Sequence, residues 1–486
     1  MKIAKIKKNI REELFKKLSH INGVISVTLV GSFVDKENLA GISDIDTIVI
    51  CKSLNEKFFN SCLNAVTNID LEACELDGYN IKINSTFGPL KFDKPNQAVI
   101  HLMIYDINAP RRHVLSSPFT CYDWERSATR VGPSLKEIFP AGMLQFRDFM
   151  EVRRSLENYI NDLNNNIISY REYDFNAADV LEIKKNRPLD ERHQGEYSYH
   201  IVRNLIANYL KLCNNKNDSF TNSEIKAEIK RLFSIKGEFH AKKFDTISAI
   251  KFQRANTFPQ DTVKWAKSFL NRFQKNIKLE WANAVTIYFI RHYQTNLNNG
   301  SYLGQSRDPS INKNITLHSK HDPVSMVYSS PLRRCLETTS VIYEDSKVIT
   351  DDRLIEFDYG LAEGLQYDDL IVQFPEIPAR WKQGEDPCFP EGENTSDVFN
   401  RISSFLTDLS TVIDNQKSGP ISIVTHNGLL RCLLGNAIGL ELKDWYKLVI
   451  PHGVQLEFLY YQDIYYPNIP RTVWAEILQN VGYTSE

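Results

Sequence analysis

The sequence predicts a multidomain chain: an α+β domain over residues 1–115, a helical bundle over 116–280 and an α/β three-layer domain over 281–486. Three observations lead there. At 486 residues the chain exceeds what one hydrophobic core supports. The period of its apolar residues changes from two to three and four near Pro118 and holds to Phe273. Beyond residue 284, strand-like and helix-like runs alternate, as in a parallel or mixed sheet covered by helices.

Composition narrows the class. Its 42% hydrophobic and 24% charged residues describe a globular protein, and a net charge of −2 argues against a surface built as a whole for nucleic acid or membrane. Eight cysteines without a C-x-x-C pair point to reduced thiols and a cytoplasmic setting rather than to disulfides or a zinc site. The basic start, Met1-Lys2-Ile3-Ala4-Lys5, lacks the apolar core of a signal peptide, and no run reaches the roughly 18 to 20 apolar residues of a membrane span.

In the first domain, residues 9–20 read as an amphipathic helix and Val24–Val30 as a strand running into Gly31-Ser32. After ten further residues comes Ser43-Asp44-Ile45-Asp46, opening a second strand. Alternation along a strand puts Asp44 and Asp46 on one face, where two carboxylates can share a hard cation such as Mg²⁺. A strand, Gly-Ser, a spacer and Asp-x-Asp resemble the nucleotidyltransferase superfamily of DNA polymerase β and the aminoglycoside nucleotidyltransferases, over about residues 20–110. By that resemblance Gly31 and Ser32 hold the triphosphate of an NTP, and Asp44 and Asp46 the metal. The family takes a third acid from a later strand. Here the strand Ala98–Asp106 offers His101 at that place, with Asp106 at its end as the alternative.

In the middle region, Leu144, Phe149, Tyr159, Ile160 and Leu163 mark one helix face, and Ile201, Val202, Leu205, Ile206, Tyr209 and Leu212 another. Two further helices are predicted from Ser223 and from Thr262. Such bundles commonly close over nucleotidyltransferase sites. Arg187 and His193, with five residues between them, resemble in spacing the Arg and His of HEPN ribonuclease domains. That spacing is easily met by chance, and a solvated helix start is the expectation.

The last domain opens near 274–283 with the strand Val285–Ile290, which ends in Arg291-His292. Motifs follow at later strand ends: Thr295-Asn296-Leu297-Asn298, Ser329-Ser330-Pro331-Leu332-Arg333-Arg334, Leu354-Ile355-Glu356, Pro390-Glu391-Gly392-Glu393 and Val424-Thr425-His426-Asn427-Gly428. In this order they resemble the histidine phosphatase superfamily, the fold of cofactor-dependent phosphoglycerate mutase, across nearly all of 284–486.

The chemistry accounts for the inventory. A phosphoryl group in transfer carries negative charge that fixed donors must meet, and Arg291 and Arg334 are planar, permanently charged forks. His426 adds a donor at a strand-to-helix turn. Neutral His292 attacks to form a phosphohistidine, with Glu356 as acid and then base. Asn298, by resemblance, contacts the phosphate, and this half needs no metal. Glu393 is expected to be structural, Asp358 and Glu363 supporting, Arg333 a surface charge, and His318 and His321 exposed in a polar loop. Tyr293, Gln294 and Asn427 replace the family's usual Gly, Glu and Gly. The lack of long insertions favours hydrolysis over mutase action.

The reading is therefore a bifunctional enzyme: Mg²⁺-dependent nucleotidyl transfer from an NTP, and phosphomonoester hydrolysis on a small phosphorylated metabolite. Two alternatives accompany it. One makes the amino-terminal part a non-catalytic nucleotide-binding module of the phosphatase; the other makes it a defence or toxin-control nucleotidyltransferase.

Overall fold

The computed structural model describes residues 2–35, 42, 44–88, 90, 96–151, 154–176, 180–253, 255–312, 323–344, 346–416 and 419–483. Ser43, His318 and His321 lie outside the described residues. The chain forms two compact units, Met1–Glu280 with Gly482–Glu486, and Trp281–Val481.

The first unit is built on a five-stranded mixed sheet of β1 (Val24–Val30), β2 (Ile45–Cys51), β3 (Asn80–Asn84), β4 (Gln97–Asp106) and β5 (Arg130–Val131), in the order β3-β4-β2-β1-β5. β1 runs antiparallel to β2, whereas β2 and β3 both run parallel to β4. The helix Lys2–Ser19 buries the row Ile6, Ile10, Leu14 and Leu18, spaced one turn apart, against Val27 and Leu29 of β1 and Val49 of β2.

The middle region corrects the expectation of an uninterrupted helical period. Residues 167–188 form an antiparallel hairpin of β6 (Ile167–Asp174) and β7 (Leu181–Pro188). Its charges misled the periodicity: Arg171 and Lys185 pair across the hairpin with Glu182 and Glu172, so polar residues bridge two strands rather than line a helix. The helices Glu191–Asn214, Asn222–Phe233, Gly237–Phe252 and Thr262–Glu280 pack through aromatic contacts such as Tyr209 on Phe273, with ring centroids 5.5 Å apart. They belong to the same compact unit as the sheet. The last of them continues to Glu280, within the 274–283 stretch where the sequence places the opening of the last domain.

The second unit carries a six-stranded sheet of β8 (Val285–Arg291), β9 (Met326–Ser329), β10 (Val348–Thr350), β11 (Ile421–Thr425), β12 (Gln455–Tyr461) and β13 (Ile464–Pro467), ordered β10-β9-β11-β8-β12-β13. The four strands from β10 to β8 are parallel. β11 is buried at all five positions and β8 at its central four, which explains their continuous apolar runs. The helix Arg333–Ile342 links the parallel strands β9 and β10, the crossover such strands require, and the helix Asn427–Ala437 follows β11.

All eight cysteines are unbridged. Among the described residues no helix is long and apolar enough to cross a membrane.

Candidate active sites

The register of the second sheet assembles its site. Arg291 at the end of β8 pairs with Thr425 at the end of β11, so the next residues, His292 and His426, leave the sheet side by side. Their rings meet edge to face with centroids 5.1 Å apart. Both imidazoles are buried. His292 Nδ1 lies 2.7 Å from the carbonyl of Tyr293, an acceptor only, so Nδ1 carries the proton and Nε2 keeps a lone pair. Burial, then the positive fields of Arg334 and Arg291, hold its pKa well below the ordinary histidine value. A neutral ring with one nitrogen committed to the backbone is a preoriented nucleophile. His426 is likewise kept neutral, by burial first and Arg334 next, and its Nε2 lies 2.8 Å from the Ser330 hydroxyl.

Arg334 is fully buried, donating to the carbonyls of Gly304 and Arg307 and to Asp308. Arg291 donates to the Ile450 carbonyl, and its pKa falls to about 10, mainly through burial. The Nε groups of Arg291 and Arg334 are buried donors that meet no acceptor among the described residues. Buried donors left unpaired are costly, and two of them beside a neutral His suit an anionic occupant. Asn298 stands in the turn after β8, its carboxamide oxygen accepting from the backbone N–H and hydroxyl of Thr295. Arg333, by contrast, is exposed and paired with Glu337.

Glu356 Oε1 accepts from the N–H of Phe357 at 2.9 Å and of Gly428 at 3.0 Å, which ties the carboxylate to the turn after His426. A β-carbon on Gly428 would fall 2.5 Å from that oxygen, so glycine is required there. Arg401 grips Glu393 through two bonds of 2.8 and 3.0 Å and donates to the carbonyls of Arg353, Ile355 and Glu356. Glu363 accepts from the N–H groups of Gly304, Ser306 and Arg307, and Asp358 from that of Gly360.

Sequence reasoning missed Arg401 and two further residues. His452 Nδ1 donates to the carbonyl of His292 at 3.2 Å, and its ring lies 5.3 Å from the nucleophile's. Arg431, one turn into the helix after His426, is half-buried and donates to the Leu448 carbonyl, and the nearby Tyr359 and Glu356 favour its charge. The spacing His426-x-x-x-x-Arg431 on a helix start was the available signal for the second. For His452 there was none beyond its place before β12.

In the first unit the strand β1 ends at Gly31, whose φ of +72° favours glycine. A β-carbon there would fall 2.6 Å from Asp46 Oδ2, so the Gly31 turn presses on the carboxylate. Ser32 opens the four-residue helix that follows. The parallel register of β2 and β4 sets His101 directly opposite Asp46. His101 Nδ1 meets Asp46 Oδ1 at 2.8 Å, and Nε2 meets the Thr86 carbonyl at 2.8 Å. Burial lowers the pKa of this ring, but the Asp46 carboxylate outweighs it and the net direction is upward. One ligand atom each from Asp44, Asp46 and His101 lies within 4.8 Å of the others. Two carboxylates and an imidazole at that spacing fit a divalent cation.

Asp106 is not part of this group. It lies at the far end of β4, about 17 Å along the strand from His101 at the usual rise, and its carboxylate caps the helix Ala109–Ser116 through the N–H groups of Asn108 and Ala109. The acidic side of the site opens into a cavity of about 400 Å³, lined also by Tyr105, Trp124, Arg171 and Lys184.

Arg187 and His193 come together, but not as a solvated helix start. His193 is 2% exposed, capped by Asp190 at 2.7 Å, and 3.5 Å from the Arg187 guanidinium. The apolar packing of Tyr197 and its neighbours drew the first turn of the helix inward.

Comparison with known proteins agrees with this division. A family model described as the histidine phosphatase superfamily (branch 1) matches residues 287–463, and one described as a nucleotidyltransferase domain matches residues 11–98. The chain therefore carries a histidine phosphatase superfamily domain, with phosphatases among its relatives, and a nucleotidyltransferase domain. Phosphoserine phosphatase 1 of Hydrogenobacter thermophilus is 27% identical over 174 residues, covering 34% of this chain and 81% of the relative. The bifunctional protein Rv2228c of Mycobacterium tuberculosis is 26% identical over 33% of this chain, and the match spans 46% of that protein's length. Among solved structures, the α-ribazole phosphatase of Shigella flexneri aligns over 38% of this chain and 95% of its own, with 20% identity and a TM-score of 0.32.

Proposed function

We propose that the protein is a bifunctional enzyme that hydrolyses a phosphomonoester at His292 and transfers a nucleotidyl group from an NTP at Asp44 and Asp46. The observation that carries the first half is the neutral, backbone-anchored His292 with two guanidinium groups whose buried Nε donors meet no acceptor among the described residues.

In that half, Nε2 of His292 attacks phosphorus in line as the bond to the ester oxygen breaks. Arg291, Arg334 and His426 meet the charge on the phosphoryl oxygens, and the carboxyl of Glu356 gives its proton to the departing alkoxide. Glu356 then takes a proton from water, whose oxygen attacks phosphorus. The P–N bond breaks, releasing phosphate and neutral His292. Asn298 adds a neutral amide donor. Release of phosphate from p-nitrophenyl phosphate tests this: His292→Ala should reduce it to background, and undiminished release ends the assignment.

In the other half, Asp44 and Asp46 hold a divalent cation, Mg²⁺ being the ion that the sequence suggests, while Gly31 and Ser32 approach the triphosphate. When bound, the cation supplies charge neutralisation and orientation of the phosphates. The chain's own part is to present both carboxylates beside the cavity and to keep the Gly31 backbone close to them. Pyrophosphate release from NTPs, lost on Asp44→Ala or Asp46→Ala, is the expected result.

A second reading keeps nucleotide binding but not transfer. It is favoured by His101, which stands where an acid would serve as base and already bonds to Asp46. Binding of NTP with no pyrophosphate release under any acceptor would select it.

A further inference from the structure

Building on the cation site of the nucleotidyl-transfer reading, we propose that His101 is itself an inner-sphere ligand beside Asp44 and Asp46, and that its nitrogen turns the centre from Mg²⁺ toward a first-row transition ion of the Mn²⁺ class.

The backbone fixes the candidate first. His101 lies within β4, which is paired on one side with β2 and on the other with β3, so its Cα is held by both neighbours. The register that sets it opposite Asp46 cannot slip by one residue without moving the whole apolar row of β4 to the other face.

The ring is then fixed by its outer partner. Nε2 faces the Thr86 carbonyl at 2.8 Å, and a carbonyl only accepts, so Nε2 carries hydrogen. That carbonyl is held in turn, because Asn84 Oδ1 accepts from both the N–H and the hydroxyl of Thr86. A ring N–H donated to a backbone carbonyl is how metal-bound histidines are oriented. It leaves Nδ1 as the nitrogen directed at the acidic pair.

The spacing suits one ion. Octahedral coordination at about 2.1 Å places neighbouring ligand atoms about 3.0 Å apart and opposite ones about 4.2 Å apart. Nδ1 and Asp46 Oδ1 are 2.8 Å apart, and all three ligand atoms lie within 4.8 Å. Small rotations of two carboxylates close that set.

The donor type sets the preference. Mg²⁺ favours oxygen and gives up water reluctantly, whereas an imidazole nitrogen adds to the affinity of first-row transition ions over Mg²⁺, least for Mn²⁺ and more for the ions after it. A third carboxylate at this position would have kept an all-oxygen site.

The test uses the full-length protein with Mn²⁺ alone, without nucleotide. Electron spin-echo envelope modulation should show ¹⁴N coupling from a directly bound imidazole. The coupling should vanish in His101→Asp and His101→Asn, which also separates His101 from His113 and His200 on the same cavity wall. Calorimetric titration should show the ratio of Mn²⁺ to Mg²⁺ affinity falling at least about tenfold from wild type to His101→Asp. Circular dichroism verifies that each variant is folded, and a wild-type spectrum without ¹⁴N coupling needs no variant to count against the proposal. Bound Mn²⁺ lacking ¹⁴N coupling, an unchanged affinity ratio in folded His101→Asp, or no Mn²⁺ binding would each overturn the proposal. Intact ¹⁴N coupling with no pyrophosphate release would instead remove the transfer reading and leave this ligand set standing.

Discussion

Gly453 lies against the ring of Tyr293: a β-carbon at position 453 would fall 2.7 Å from a ring carbon. The family's usual glycine after the nucleophile has become an aromatic residue here, and the room for it comes from a glycine in the turn before β12. That turn is tied to the nucleophile's strand, since the Gly453 N–H donates to the Arg291 carbonyl at 3.0 Å.

Gly453→Ala should therefore destabilise the second unit by about 1–3 kcal/mol, from a left-handed backbone at φ +71° and from the clash with Tyr293. Tyr293→Gly should remove the clash and leave the strain. Urea unfolding of the two single variants and the double variant should give a coupling of about 0.5–3 kcal/mol. Simple additivity would show that the two side chains do not compete for space.

Glu356 depends on Arg401, which holds the carbonyls of residues 353, 355 and 356 with one guanidinium. Glu356→Gln should slow hydrolysis of an alkyl phosphate by about 10²–10⁴-fold. With p-nitrophenyl phosphate, whose leaving group needs no proton, only the second step should slow, so a burst of nitrophenolate should precede a slowed steady rate. Arg401→Lys loses the planar fork; it should lower kcat with little change in KM and cost about 1–3 kcal/mol in stability. Steady-state kinetics on both substrates checks the pair of claims.

At Gly31 the prediction concerns the other site. Gly31→Ala puts a β-carbon 2.6 Å from Asp46 Oδ2 on a backbone at φ +72°. Pyrophosphate release should fall by more than tenfold, while p-nitrophenyl phosphate hydrolysis, which belongs to the other unit, should be untouched. Loss of both activities together would mean that the substitution unfolds more than its own site.

The pH dependence of stability has a definite sign. His292, His426 and His452 all have depressed pKa values in the folded protein, by burial first, and His452 is lowered from 6.5 to about 4. In the unfolded chain they protonate near the ordinary value, so below it the unfolded state binds more protons. Stability is fully present above about pH 6.5 and is lost as pH falls from 6.5 toward 4, with the His452 contribution exhausted near the lower figure. Thermal melts of wild type and His452→Asn across that range should diverge, the variant falling less steeply. The same depression keeps the His292 nucleophile neutral, so its acid limb in kcat/KM should lie below pH 6.5.

Much of this was legible before the structure, and for a local reason. Strand ends announce themselves: an apolar run stopping at Arg291-His292 or Thr425-His426 needs no distant partner to be recognised. What was not legible depends on pairing at long range. His101 and Asp106 could not be separated on the sequence, because only the register of β4 against β2 shows that one faces Asp46 and the other caps a helix. The hairpin of β6 and β7 was hidden because its salt links cross between strands, and charge patterns alone suit a helix surface equally well. His193 looked exposed because polar neighbours flank it, whereas Asp190 and Arg187 fold over it.

The pairing of β8 with β11 also governs when the phosphatase can first work. The nucleophile is synthesised early in its unit and its partner histidine late, and the register Thr425 to Arg291 forms only after the strands and helices between them exist. A nascent or truncated chain that ends before Ile421 holds His292 without His426, without the Gly428 N–H that orients Glu356, and without the middle of its sheet. Hydrolysis is thus a timer for completed synthesis: phosphate release from a ribosome-bound chain should switch on late and all at once, rather than grow in proportion to length.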